Sequence, residues 1–262
     1  MKRMLMAAAL AFAAGGQALA ADLPQASPLP PRAPSMYVPA APPVYNWGGI
    51  YLGLNAGGSF VDQPAGSFTN ATTGAAIPGA VSDANSTGFA GGGQLGFNYQ
   101  LSQIVLGAEA DVDYLSNKST LNGTSTIGGA PVGTFTHTYQ LDFLSTVRGR
   151  VGFAFDRILA YGTAGLAMGG FQATRTENSC TVGVSCPGTS VPGTNESYSD
   201  LRLGWTAGAG VEYAITDSWT AKLEYLYASL ESLNYTFPIQ NRTTSAPAET
   251  VNLVRVGVNY KF

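Results

Sequence analysis

The amino-acid sequence predicts an all-β fold, an eight-stranded antiparallel transmembrane β-barrel, and three observations lead to that prediction. Eight segments of about 10 to 15 residues alternate apolar and polar side chains with the period of two that belongs to strands. Charged residues make up 11% of the chain, against about 25% in a soluble domain, so a water-facing exterior would be hard to build. Connections between the segments are tight and long by turns, as in a barrel with short turns at one rim and four long loops at the other. No stretch reaches the roughly 18 to 20 consecutive apolar residues of a spanning helix.

Residues 1–20 read as a signal peptide: Lys2 and Arg3 form the basic start, Leu5 to Ala14 the apolar run, and Ala18, Leu19 and Ala20 the small-x-small cleavage site. The alternative, an uncleaved anchor, meets the difficulty that the run is too short to span. Cleavage after Ala20 leaves 11 basic against 16 acidic residues, a charge of −5. Nucleic acid is a poor partner for such a chain, which has no basic stripe to release counterions from phosphates. Residues 21–46, rich in Pro and Ala and almost free of charge, predict an extended, disordered periplasmic spacer, with the barrel occupying 47–262.

The strands follow in order. The first, Trp47 to Val61, sets Ile50, Leu52, Leu54 and Ala56 against Tyr51, Gly53, Asn55 and Gly57. The second, Gly88 to Gln100, sets Phe89, Leu95, Phe97 and Tyr99 against Gln94, Asn98 and Gln100. In the third, Ile104 to about Ser116, Glu109, Asp111 and Asp113 share one face opposite Leu106, Ala108, Ala110, Val112 and Tyr114. The fourth, Tyr139 to Phe155, turns Leu141, Phe143, Val147, Val151 and Phe153 outward and Asp142, Arg148 and Arg150 inward. The fifth, Ile158 to Phe171, is apolar or small on both faces, so pattern alone does not orient it. The sixth, Leu201 to Ile215, opposes Leu203, Trp205, Val211 and Tyr213 to Arg202 and Glu212; the seventh, from Trp219, opposes Leu223 and Tyr225 to Lys222 and Glu224. The last, Val251 to Phe262, alternates Val254, Val256, Val258, Tyr260 and Phe262 with Arg255, Asn259 and Lys261. Residues 101–103, 156–157 and 216–218 are the tight turns, and 62–87, 117–138, 172–200 and 231–250 the long polar loops.

An even number of strands closes the sheet and leaves no unpaired edge in lipid. The charged set is too sparse to cover a soluble surface, so the apolar faces contact lipid and the charged faces look inward, the reverse of a water-soluble barrel. Short periplasmic turns and long outer loops place such a barrel in the outer membrane of a Gram-negative bacterium. Its lumen would carry Glu109, Asp111, Asp113, Asp142, Glu212 and Glu224 against Arg148, Arg150, Arg202, Lys222, Arg255 and Lys261, six acids and six bases. Eight strands enclose only enough room for side chains to fill, and charges withdrawn from water must be paired, so the expected interior is an ion-paired plug.

The chain resembles the small alphaproteobacterial outer-membrane surface proteins of the porin-like or OmpA-like eight-stranded barrel family, over essentially its whole mature length. The resemblance rests on five features in order. The signal peptide runs into Ala21-Asp22-Leu23-Pro24, and the Pro-rich spacer follows. Then come Asn46-Trp47-Gly48-Gly49-Ile50-Tyr51-Leu52-Gly53-Leu54-Asn55-Ala56-Gly57-Gly58, the segment Gly107-Ala108-Glu109-Ala110-Asp111, and the ending Val254-Arg255-Val256-Gly257-Val258-Asn259-Tyr260-Lys261-Phe262. It implies a barrel that supports envelope integrity and surface exposure, with pore activity a family label more than a mechanism. The C-terminal Phe262 and the outward Val254, Val256, Val258 and Tyr260 resemble the signal through which the barrel-assembly machinery recognises its clients. Lipid and lipopolysaccharide are the expected surroundings, and a host or environmental ligand would meet the loops.

No catalytic, cofactor or metal site emerges. Gly91-Gly92-Gly93-Gln94-Leu95-Gly96 matches GxGxxG, but it lies within a strand pattern and opens no helix, so its glycines relieve crowding in a narrow barrel. His137, the one histidine, lacks an acidic orienter and a nearby nucleophile pattern, so enzymatic chemistry is not expected, and a lone His makes no metal site. Cys180 and Cys186 suit a disulfide in an exported chain; a redox or metal thiol pair would call for CxxC spacing or further ligands. Triplets such as Asn122-Gly123-Thr124 follow from loop composition. Tyr51, Tyr99, Tyr161, Trp205, Tyr213, Trp219 and Tyr260 suit an interfacial girdle or lumen packing. A structural, surface-exposed barrel is the expected function; a narrow diffusion channel is the alternative, and a lipid-processing enzyme the remote one.

Overall fold

The computed structural model describes residues 45–64, 66–74, 84–127, 130–180, 195–238 and 242–262. The expected signal peptide, all but the end of the spacer, and Cys186 with its bridge to Cys180 lie outside the described residues.

The barrel is built from β1 (Gly49–Gln63), β3 (Ala84–Leu101), β4 (Ile104–Ile127), β5 (Ala130–Phe155), β6 (Ile158–Cys180), β7 (Asn195–Ala214), β8 (Trp219–Leu230) and β11 (Glu249–Lys261). Each strand pairs antiparallel with its neighbours in the chain, and β11 pairs with β1 to close the sheet. Three short strands in the outer connections, β2 (Ser67–Asn70), β9 (Leu233–Phe237) and β10 (Arg242–Ala246), form a second sheet in the order β2-β10-β9. The tight turns lie where the sequence places them. Ser102 and Asp156 take left-handed φ values of 58° and 52°, as two-residue hairpin turns require.

Side-chain direction follows the period of two. Leu52, Leu54, Leu95, Phe97, Val112, Val147, Val151, Leu203, Trp205, Leu223, Val256 and Val258 are all about half exposed or more, forming an outward apolar surface. Glu109, Asp111, Asp113, Arg148, Arg150, Glu212, Lys222, Glu224 and Arg255 are buried on the opposite face. The undecided strand β6 turns Ile158, Ala160 and Leu166 outward and Leu159, Tyr161 and Thr163 inward.

Two expectations need correction. Residues 117–138 and 172–200 are not long loops throughout: β4, β5, β6 and β7 run on above the lipid-facing belt to lengths of 24, 26, 23 and 20 residues. Thr, Ser and Asn alternate there with inward Phe135, Tyr139, Phe171 and Ala173, so the strand period persists after the lipid-facing residues cease to be apolar. Leu141 points inward, not to lipid, because the pairing slips between Leu141 and Phe143. That bulge reverses the inward parity of β5 above it, and it leaves Asp142 half-buried beside Gln140, whose Nε2 donates to Asp142 Oδ1 at 2.5 Å.

Candidate functional site, the barrel interior

Between β4, β5, β7, β8 and β11 the inward charges meet in one cluster. Strand register sets three of its acid–base pairs directly opposite each other, Glu109 across from Arg148, Glu212 across from Lys222 and Glu224 across from Arg255. The Arg148 guanidinium donates to Glu109, to Asp111, and to Glu224 Oε1 at 3.1 Å. Arg255 donates through Nε to Glu224 Oε2 at 2.8 Å, through Nη2 to Asp111 Oδ2 at 2.9 Å, and through Nη1 to Asp113. Lys222 Nζ reaches Glu109 Oε1 at 3.2 Å. Arg150 donates to Glu212 and packs 3.7 Å over the Tyr161 ring, while Tyr51 donates its hydroxyl to Glu109 Oε2 at 2.6 Å. Two arginines that each fork onto three carboxylates cross-link four strands through the lumen, a task for which lysine has the wrong geometry.

Three of the expected lumen charges lie elsewhere. Lys261, at the last strand residue, donates to the Asn46 carbonyl at the short-turn rim and sits 4.3 Å over the Tyr45 ring. Asp142 is displaced by the β5 bulge. Arg202 pairs with Glu249 at 3.0 Å and lies 4.2 Å over the Phe171 ring, apart from the cluster. The cluster therefore holds five acids, Glu109, Asp111, Asp113, Glu212 and Glu224, against four bases, Arg148, Arg150, Lys222 and Arg255.

Apolar side chains flank it on both sides, and alternation alone did not reveal them. Toward the short turns, Tyr45 and Trp47 pack with Val105, Ala154, Leu159, Tyr161 and Ala214. Trp47 Nε1 donates to the Asp156 carbonyl at 3.0 Å, and its backbone N–H to Gln100 Oε1 at 2.6 Å, which seats the segment before β1 in the barrel mouth. Toward the outer side, Val61, Leu115, Leu141, Leu144, Leu226, Leu230, Val251 and Leu253 form one buried apolar layer.

Above that layer an aromatic cap joins the tall wall to the small sheet: Phe135, Tyr139 and Phe171 pack with Tyr235, Phe237 and Ala246. His137 lies in this cap, outside the lipid belt and fully buried, 4.3 Å from the Tyr139 ring and 5.7 Å from the Phe237 ring. Arg175, paired with Glu177 at 2.9 Å, shares the cap. Burial, and then the positive Arg175, push the His137 imidazole down to about 3 from its usual value near 6.5. Protonation then favours the open state: the stabilisation is complete above pH 6.5 and is lost as pH falls from 6.5 toward 3. At pH 5 the cap is expected to be weaker by about 2 kcal/mol. Amide exchange in β9 and β10 should accelerate between pH 7 and pH 5, and should stay level in His137→Phe.

A closed eight-stranded barrel with an apolar exterior and a charged interior defines the class, an integral β-barrel of the outer membrane. The chain belongs to the outer membrane protein beta-barrel domain family, whose model matches residues 6–262. The 31 kDa outer-membrane immunogenic protein of Brucella melitensis is 34% identical over 267 residues, covering 100% of both chains. The 22 kDa outer membrane protein of Rhizobium leguminosarum bv. viciae is 30% identical, over 84% of this chain and 80% of its own. Among solved structures, Neisserial surface protein A matches with a TM-score of 0.40 and 14% identity over 82% of this chain and 97% of its own. The OprG barrel of Pseudomonas aeruginosa matches at 0.42 and 13%, over 82% and 96%.

Proposed function

We propose that this protein is a sealed, structural barrel that stiffens the outer membrane and holds a tall wall and cap at the cell surface, rather than a diffusion channel. The observation that carries this reading is the continuous apolar layer from Val61 to Leu253 across the lumen, directly above an ion-paired cluster. Water and ions crossing it would have to leave their hydration behind in a space that side chains already fill. The immunogenic naming of the Brucella relatives supports exposure at the surface. The full burial of His137 supports a non-enzymatic role, since a general base must reach its substrate. The purified protein, refolded and added to a planar bilayer, is expected to show no stable conductance steps. Large, steady ohmic conductance would overturn the sealed reading and promote the pore.

Assembly supports the same address. Val254, Val256, Val258 and Tyr260 present a lipid-facing row on β11, and Phe262 closes it, its ring 5.0 Å from Tyr260 and its N–H donating to the Ile50 carbonyl at 3.0 Å. In our reading this row is the contact for the barrel-assembly machinery. Deleting Phe262 is expected to lower the amount of heat-modifiable, inserted barrel in cells while the purified chain still refolds in detergent. Unchanged cellular insertion would remove the role.

A further inference from the structure

Above the lipid-facing belt, β4, β5, β6 and β7 continue as a four-stranded wall whose inner face carries the aromatic cap. Its outer face is as regular as the belt below. Thr120, Thr138, Thr174 and Ser197 face one another in a row across the four strands. Rows of Gln, Asn, Thr and Ser flank it above and below, the lower one starting at Lys118. These outward side chains are exposed or half-exposed. Cross-strand contacts hold them in place: Thr120 Oγ1 lies 3.4 Å from Thr138 Oγ1, Thr174 Oγ1 lies 3.1 Å from Ser197 Oγ, and Thr136 donates to Asn122 Oδ1 at 2.8 Å. A hydroxyl offers one donor and two acceptor sites, so each keeps capacity for a ligand after these contacts.

The face is short of charge, and the little it has is of one sign. A water-facing surface carries about 25 to 35% charged residues of both signs. In these three rows of four, Lys118 is the one charged residue and no acid is present, although the chain as a whole has 16 acids to 13 bases. Lys118 is exposed and makes no ion pair among the described residues. Asp142, beside that row, is held at the β5 bulge by Gln140.

Position names the occupant. On the same strands and the same side, Tyr114, Phe143 and Leu201 end the lipid-facing belt, and the Lys118 row follows two to four residues farther along each strand. A molecule whose acyl chains lie on that belt sets its headgroup against the wall. In the outer leaflet of an outer membrane that molecule is lipopolysaccharide, with phosphates close to the acyl chains and sugars above them. Lys118 stands at the level of the phosphates, and the hydroxyl row stands one step higher, about 7 Å along the strand, at the level of the sugars.

We propose that the outer face of the wall is a docking surface for the phosphorylated saccharide headgroup of lipopolysaccharide, with Lys118 on a phosphate and the row from Thr120 across to Ser197 on the sugars. The inference rests on the wall standing at the cell surface and not on whether the lumen conducts, so a conducting barrel would leave it intact.

The test is to refold the full chain in detergent, titrate it with deep-rough lipopolysaccharide, lipid A or phosphatidylglycerol, and count bound molecules by native mass spectrometry. The wild type is expected to bind lipopolysaccharide most tightly and phosphatidylglycerol least. Lys118→Ala should weaken lipopolysaccharide and lipid A alike by about fivefold, as for the loss of one exposed ion pair. Thr138→Val combined with Thr174→Val keeps the strand shape and removes two hydroxyls; it should weaken lipopolysaccharide by about fivefold to tenfold and leave lipid A unchanged. The heat-modifiable shift on gels checks folding first, and the wild-type comparison stands by itself should a variant fail to fold. Equal binding of lipopolysaccharide and phosphatidylglycerol by the wild type overturns the proposal in favour of a belt that accepts any lipid. Unchanged lipopolysaccharide affinity in both variants overturns it in favour of contact through acyl chains alone.

Discussion

Arg148→Ala is expected to destabilise the folded barrel by about 3 to 5 kcal/mol, because it strips a buried cluster of its central cation without removing the anions around it. The guanidinium holds Glu109, Asp111 and Glu224 together, with Thr163 Oγ1 accepting from Nη1 at 3.1 Å, and its side chain is fully buried. Its loss moves the cluster from one excess negative charge to two in the space between the apolar layers. Urea or thermal unfolding of the refolded protein measures the loss. Arg148→Lys should recover only part of it, since one ammonium cannot fork onto three carboxylates from two strands. A change under about 1 kcal/mol would mean that these charges are solvated, as in an open pore, and would count against the sealed lumen.

Tyr235→Ala should release the outer cap at a comparable local cost, about 3 to 5 kcal/mol, while leaving the membrane-embedded barrel folded. Tyr235 is the hub of the cap: it stacks on Tyr198 at 5.0 Å and meets Phe171 at 5.8 Å and Phe237 at 5.4 Å. The small sheet is held mainly by this packing, because β2, β9 and β10 hydrogen-bond with one another and, among the described residues, form no ladder with the barrel strands. Limited proteolysis and amide exchange should show β9 and β10 opening, whereas the heat-modifiable shift of the barrel on gels should persist. If the whole barrel unfolded together with the cap, the two would be one cooperative unit.

The eight strands, their three tight turns and, outside β6 and the upper part of β5, the direction of the lipid-facing side chains were legible in the sequence. Lipid demands an unbroken apolar face, and a period of two cannot hide in residues such as Ile104 to Tyr114. Most of the interior charges were legible for the same reason, being the other half of that alternation. What lay beyond pattern were the features that depend on position along the barrel axis and on which strands face each other across the lumen. Leu115, Leu226 and Val251 look like ordinary inward residues one strand at a time, and only the closed sheet gathers them into a layer. Arg202 and Lys261 alternate in register with their neighbours, yet Arg202 lies above that layer and Lys261 at the rim. The β5 bulge moved Leu141 inward and Asp142 away from the cluster, because one unpaired residue reverses parity without leaving a mark in composition. Thus the sequence by itself determined an outer-membrane barrel and the sides of most of its strands, through the one-dimensional requirement that lipid places on every second residue. Only the tertiary structure decided that the lumen stacks apolar and ionic layers, and that the charges of its cluster fall one short of balance, because both follow from contacts between strands far apart in the chain.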